Sequence, residues 1–122
     1  MSMQDSHFAF TVRKQDGVAI IDLKGDVDGF AEEGMNAAYA DAVRDGPTTI
    51  LVNFREVGYI NSTGIALIVG MLAQARKSRL QLLACGLSDH YHEIFHITRL
   101  ADFMHIFPDE TSALAGQPAA ER

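Results

Sequence analysis

Apolar residues along this chain follow first a period of two and then an alternation of β-rich runs with helical stripes. Phe8, Phe10 and Val12 alternate with polar or small residues, Gln15-Asp16-Gly17 carries a tight-turn signal, and Val18–Leu23 is a second β-rich run. The chain is expected to open with an antiparallel hairpin. From Asp28 the period changes: Ala31, Met35, Ala38, Tyr39, Ala42 and Val43 recur at helical spacing, with Asp28 placed to cap the start and Gly46-Pro47 to close the end. Thr49–Phe54 then reads as a buried strand, Ser62–Ser78 as a helix, and Leu80–Cys85 as a strand ended by Gly86. Ser88 and Asp89 offer a cap for a short helix through His96, Met104–Phe107 reads as an edge strand, and Pro108 starts a last helical turn. Strands alternating with helices after a hairpin predict an α/β sandwich on a mixed sheet, with about four helices. One domain over residues 1–114 accounts for the whole pattern, and 115–122 (AGQPAAER) is expected to be a flexible tail.

Composition narrows the function classes. The chain has 122 residues, 48% of them apolar, which suits a single core and is too short for two. A formal charge of -6 without Lys/Arg clusters argues against a nucleic-acid partner or docking on anionic lipid, and favours other proteins as partners. Cys85 is the only cysteine, so no internal disulfide can form and a reducing compartment is the simpler expectation. The start MSMQDSHF has no basic patch followed by an apolar run, and Ile65–Ala73 falls well short of the roughly 20 residues that span a bilayer. These features predict a cytoplasmic protein with no direct membrane insertion.

The most enzyme-like stretch is His92-Glu93-Ile94-Phe95-His96, the H-E-x-x-H pattern that places two imidazoles and a general base on one helix face around zinc. Its surroundings argue against a metal. Ile94 and Phe95 turn inward, the helix is short, Arg99 and Asp102 stand where a metzincin would continue, and a third ligand would have to come from Asp102 or His105. Ser88 and Thr98 lack a nucleophile-elbow context, and the glycines at 25, 29, 34 and 46 form no phosphate loop. No catalytic set emerges, no cofactor is called for, and a zinc hydrolase on His92 and His96 is the weakest of the readings.

Asn61-Ser62-Thr63-Gly64 is richer. Asn61 or Ser62 can cap the following helix by accepting an N–H from its first turn, typically worth about 1 kcal/mol, and Gly64 can allow a close approach. The same position also suits covalent modification, because a phosphate on a hydroxyl at a helix N-terminus meets free N–H groups and the positive end of the dipole.

These residues sit within motifs that resemble the STAS domain family, and within it the small bacterial anti-sigma factor antagonists, over roughly Phe8–Leu114. Leu23-Lys24-Gly25-Asp26-Val27-Asp28 resembles the family's (L)-x-G-(E/D)-(I/L/V)-D, which leads from the second strand to the first helix. Val57-Gly58-Tyr59-Ile60-Asn61-Ser62-Thr63-Gly64-Ile65 is similar to the family's aromatic and aliphatic pair followed by D-S-(S/T)-G-(L/I). Glu93–Leu100 falls on the family's third helix and the turn after it, which makes the H-E-x-x-H coincidental. Asn61 replaces the family's usual aspartate, and Arg99 stands where a glycine is common.

The resemblance implies a STAS-like sandwich and a switch. In the family, the first hydroxyl residue of the motif, by position Ser62, is phosphorylated by an anti-sigma factor with serine kinase activity. The unphosphorylated form binds that kinase and releases a sigma factor, and a phosphatase acting on phosphorylated Ser62 would restore binding. Asp26, Asp28, Asn61, Ser62, Thr63 and Gly64 form the partner-binding set on this reading. The alternative is a STAS subunit that is not phosphorylated and serves a transport or sensory complex.

Overall fold

The computed structural model describes residues 8–115. β1 (Phe8–Gln15) and β2 (Val18–Val27) pair antiparallel from Gln15↔Val18 to Phe8↔Gly25. Between them Asp16 and Gly17 both have positive φ, 51° and 80°, the backbone a two-residue hairpin needs to match the strand twist. β3 (Thr49–Ile60), β4 (Gln81–Cys85) and β5 (His105–Phe107) follow in parallel, giving a five-stranded sheet in the order β1-β2-β3-β4-β5. The sheet is mixed, as the opening hairpin requires.

Helices cover the sheet unequally. α1 (Glu32–Val43), α2 (Ser62–Lys77) and α3 (Asp89–Ile97) pack on one face over Ala19, Ile21, Leu23, Ile50, Val52 and Phe54, and Phe54 meets Phe95 edge-on at 5.7 Å. The short α4 (Glu110–Ala115) lies on the other face, where Ala113 and Leu114 close over Val18, Ile20, Leu51, Leu83 and Cys85. Residues of both parities in β2 and β3 are thus buried, which is why those strands read as continuous apolar runs.

Several ends of β4, β5, α2 and α3 differ from the sequence reading by a single residue, and other boundaries differ with more consequence. β2 and β3 run on to Val27 and Ile60 rather than ending near Leu23 and Phe54, so Gly25–Val27 belongs to a strand and only Asp28 begins the turn. Their pairing slips by one residue between Asp22 and Lys24 and again between Gly25 and Asp26, so two bulges in β3 interrupt the alternation a sequence would show. Asp28 does cap, but its carboxylate accepts from Phe30 N in a 3-10 turn (Gly29–Ala31), and α1 proper starts after it at Glu32. Ala115 ends α4 instead of opening a tail; the rest of the expected tail lies outside the described residues.

Candidate functional site

The carboxyl ends of the two central strands and the amino ends of α1 and α2 meet at one edge of the sheet. Val27 and Ile60 are register partners there, and the backbone N–H of Asn61 bonds to Val27 O at 3.2 Å. Asn61 is the cap of α2: its backbone is extended, its Oδ1 accepts from Gly64 N at 2.8 Å, and its carbonyl accepts from Ile65 N at 2.9 Å. Of the two residues that could cap, the structure uses Asn61. Ser62 therefore opens the helix as an exposed residue whose hydroxyl is not spent on the cap. The first-turn N–H groups of any helix have no intrahelical partner, and here they stand beside that hydroxyl.

Gly64 fixes how closely the helix sits. A Cβ at this position would lie 2.0 Å from Val27 O and 3.0 Å from Ile60 Cγ2, so α2 rests on the end of β2 with no side chain between them. Thr63 is exposed on the next position, its Cγ2 3.6 Å from where a Cβ on Gly29 would stand, which brings the Asp28–Ala31 turn against the first turn of α2. From below, the Tyr91 hydroxyl on α3 accepts the Ile60 N–H at 2.9 Å and ties down the end of β3.

All six residues of the expected partner-binding set lie along this edge. Asp28 is engaged by its capping bond to Phe30, Asp26 stands opposite Tyr59 in the strand register, and Asn61 and Gly64 are structural. Asp26 and Asp28, with Glu32 and Glu33 in the first turn of α1, have no ion-pair partner among the described residues. Two aromatic residues outside that set stand out. Phe30 is 89% exposed and Tyr59 52% exposed, both at the same edge. Tyr59 enters the sequence reading only as the aromatic of the family motif and Phe30 not at all, because an aromatic beside Gly or Ala does not announce its exposure.

The other candidate chemistry falls elsewhere. His92, Glu93 and His96 face solvent on α3 while Phe95 is buried, and His96 Nδ1 is engaged by the His92 carbonyl at 2.9 Å. Among the described residues no group of three or more His, Cys, Asp or Glu side chains could hold a metal. Cys85 is wholly buried, and burial pushes its thiol up to about 11, which keeps it an inert core residue at neutral pH. Among the described residues no helix is long and apolar enough to cross a membrane.

The sequence model of the STAS domain matches residues 9–113, nearly the entire described chain. The chain is a member of the STAS domain family. Among its relatives is an anti-sigma-B factor antagonist of Staphylococcus aureus, 32% identical over 92 residues that make up 75% of this chain and 85% of that protein. Among solved structures, an anti-sigma factor antagonist from Mycobacterium paratuberculosis superposes with a TM-score of 0.76 at 19% identity, covering 94% of this chain and 97% of its own. The Bacillus cell fate determinant SpoIIAA in its phosphorylated form gives 0.67 at 22% identity, covering 89% and 100%. The mixed sheet and four helices of this STAS chain are thus a fold it shares with antagonist proteins.

Proposed function

We propose that this STAS protein is an anti-sigma factor antagonist: it binds an anti-sigma factor that is also a serine kinase, and phosphorylation of Ser62 ends the binding. The reading rests on the family and on the kinship with the Staphylococcus aureus antagonist. The observation that carries its mechanism is the division of labour at the start of α2, where Asn61 supplies the cap and Ser62 presents a spare, exposed hydroxyl. A phosphoryl group transferred from ATP to that oxygen meets the N-terminal end of a helix, so the fold tolerates it. For a partner, the same group adds a charge of about -1.5 to -2 beside Asp26 and Asp28. Such a charge left unpaired in an interface costs on the order of 2–5 kcal/mol, so a single phosphate suffices as a switch. A phosphatase acting on phosphorylated Ser62 resets it.

The test is phosphoryl transfer in vitro. The purified protein is incubated with ATP and, in turn, with each anti-sigma kinase encoded in the same genome, followed by phosphopeptide mapping. Label on Ser62, absent from Ser62→Ala, is expected. Label on Thr63 with none on Ser62 would misplace the switch, and no label with any kinase would refute the phosphorylation mechanism.

A further inference from the structure

From the exposed side chains at this edge, and resting on the function proposed above, we infer that Phe30 is the anchor by which the anti-sigma kinase grips the protein, with Tyr59 as a flanking contact. The fold makes no use of Phe30. Its side chain is 89% exposed, it precedes α1, and its neighbour Ala31 supplies the buried contact of the turn. Isolated exposed apolar residues are ordinary on protein surfaces. Phe30 differs in its placement and in the fixed backbone beneath it. Asp28 Oδ1 accepts the Phe30 N–H at 2.9 Å and Asp28 O accepts the Ala31 N–H at 2.9 Å, so the turn is held while the ring projects. The neighbouring Gly29 lies against Thr63, one residue from the Ser62 hydroxyl. With the backbone already held, only the ring's own two rotamer angles are fixed on binding, and aromatic side chains on such supports are where interface energy concentrates.

Charge specifies the partner's chemistry. Asp26, Asp28, Glu32 and Glu33 flank Phe30 in sequence, and none is neutralised by an ion pair among the described residues. A surface complementary to this edge presents an apolar pocket for the ring with Arg or Lys around it, and an arginine there can also stack on the ring face. Phe30 thereby sets where the kinase docks, and Ser62 is the residue brought to it.

The experiment measures affinity and phosphorylation kinetics for wild type, Phe30→Ala and Glu32→Lys/Glu33→Lys against the kinase that labels Ser62, with thermal melts of each. Phe30→Ala is expected to bind about 30-fold or more weakly, the size of an anchor residue's loss. Its KM as a kinase substrate should rise while kcat stays near wild type, and its Tm should not change. The charge-reversal variant should bind more weakly and lose salt dependence. Phe30→Ala binding within about threefold of wild type would overturn the inference while leaving the proposed function standing. A lowered Tm in Phe30→Ala would overturn it too, by showing a structural role. If no such kinase binds or labels the wild type, the proposed function and the anchor fall together.

Discussion

Two polar regions of this molecule handle charge in opposite ways. On the α4 side of the sheet, Arg13 Nε and Nη2 reach both oxygens of Asp22 at 2.7 and 2.9 Å, and its Nη1 and Nη2 reach Glu110 at 3.1 and 2.7 Å. Asp22 also accepts from Asn53 Nδ2 at 2.9 Å, and Asn53 Oδ1 accepts the Arg55 N–H at 3.0 Å. This network closes on itself and ties β1, β2, β3 and α4 together. At the Ser62 edge, by contrast, four carboxylates have no ion-pair partner among the described residues and lie beside exposed Phe30 and Tyr59. Charges that serve the fold are satisfied within it; charges left over are available to something outside. Polar residue types alone do not distinguish the two, and pairing does.

The largest expected effect breaks the open edge. Ser62→Asp should weaken binding to the anti-sigma kinase by about 30- to several thousand-fold while Ser62→Ala keeps it, as read by titration calorimetry of both. Equal affinity of the two would remove Ser62 from the interface. Gly64→Ala attacks the scaffold under that edge. Its new methyl collides with Val27 O, a backbone atom that cannot rotate away, so urea unfolding should show a loss of about 3 kcal/mol.

A smaller effect probes the closed network. Asp22→Asn should cost about 1–2 kcal/mol at pH 7, modest because Arg13 is partly exposed, and should leave kinase binding unchanged. The pH dependence has a definite sign. The Arg13 guanidinium holds the Asp22 carboxyl below the usual carboxylate range, with burial pulling the other way and Asn53 and Thr11 adding further hydrogen bonds. Its stabilisation is therefore complete above the unfolded carboxylate value near ~4 and is lost as pH falls through the depressed folded value. Wild type and Asp22→Asn should accordingly converge in stability toward acid pH; a gap that persists there would place the energy outside this ion pair.

The smallest effect lies away from both regions. Arg99 sits in the left-handed region at φ 69°, which costs a non-glycine residue about 1 kcal/mol, and its ion pair with Asp102 is exposed and worth little. Arg99→Gly should raise stability by about 0.5 kcal/mol once the looser unfolded chain is counted, with no change in binding.

Most of the fold was legible because its elements obey simple periods. The hairpin turn, the helical stripe of α1 and the apolar runs of β3 and β4 each sit where pattern places them. The extensions of β2 and β3 were hidden for a physical reason: bulges opposite Lys24 and Asp26 shift the pairing, and the exposed Arg55, Glu56, Gly58 and Tyr59 break the buried run that Thr49–Phe54 begins. The Ser62 edge was legible as a motif, down to the glycine. What a sequence could not convey was which of two residues caps α2, or that Phe30 points outward, since both depend on atoms brought together from different elements. The left-handed backbone at Arg99 likewise emerges only from the structure.

The bare contact between Gly64 and the end of β2 has a further consequence for how such a domain conveys information. With backbone resting on backbone, there is no pliable layer beneath Ser62 that could transmit a push toward the core. A group attached at that hydroxyl would act as a stamp on a rigid face rather than a lever into the interior. Its message would be erased by removing the stamp, with no refolding to wait for, and the speed of reply would be set by the enzymes that write and erase it.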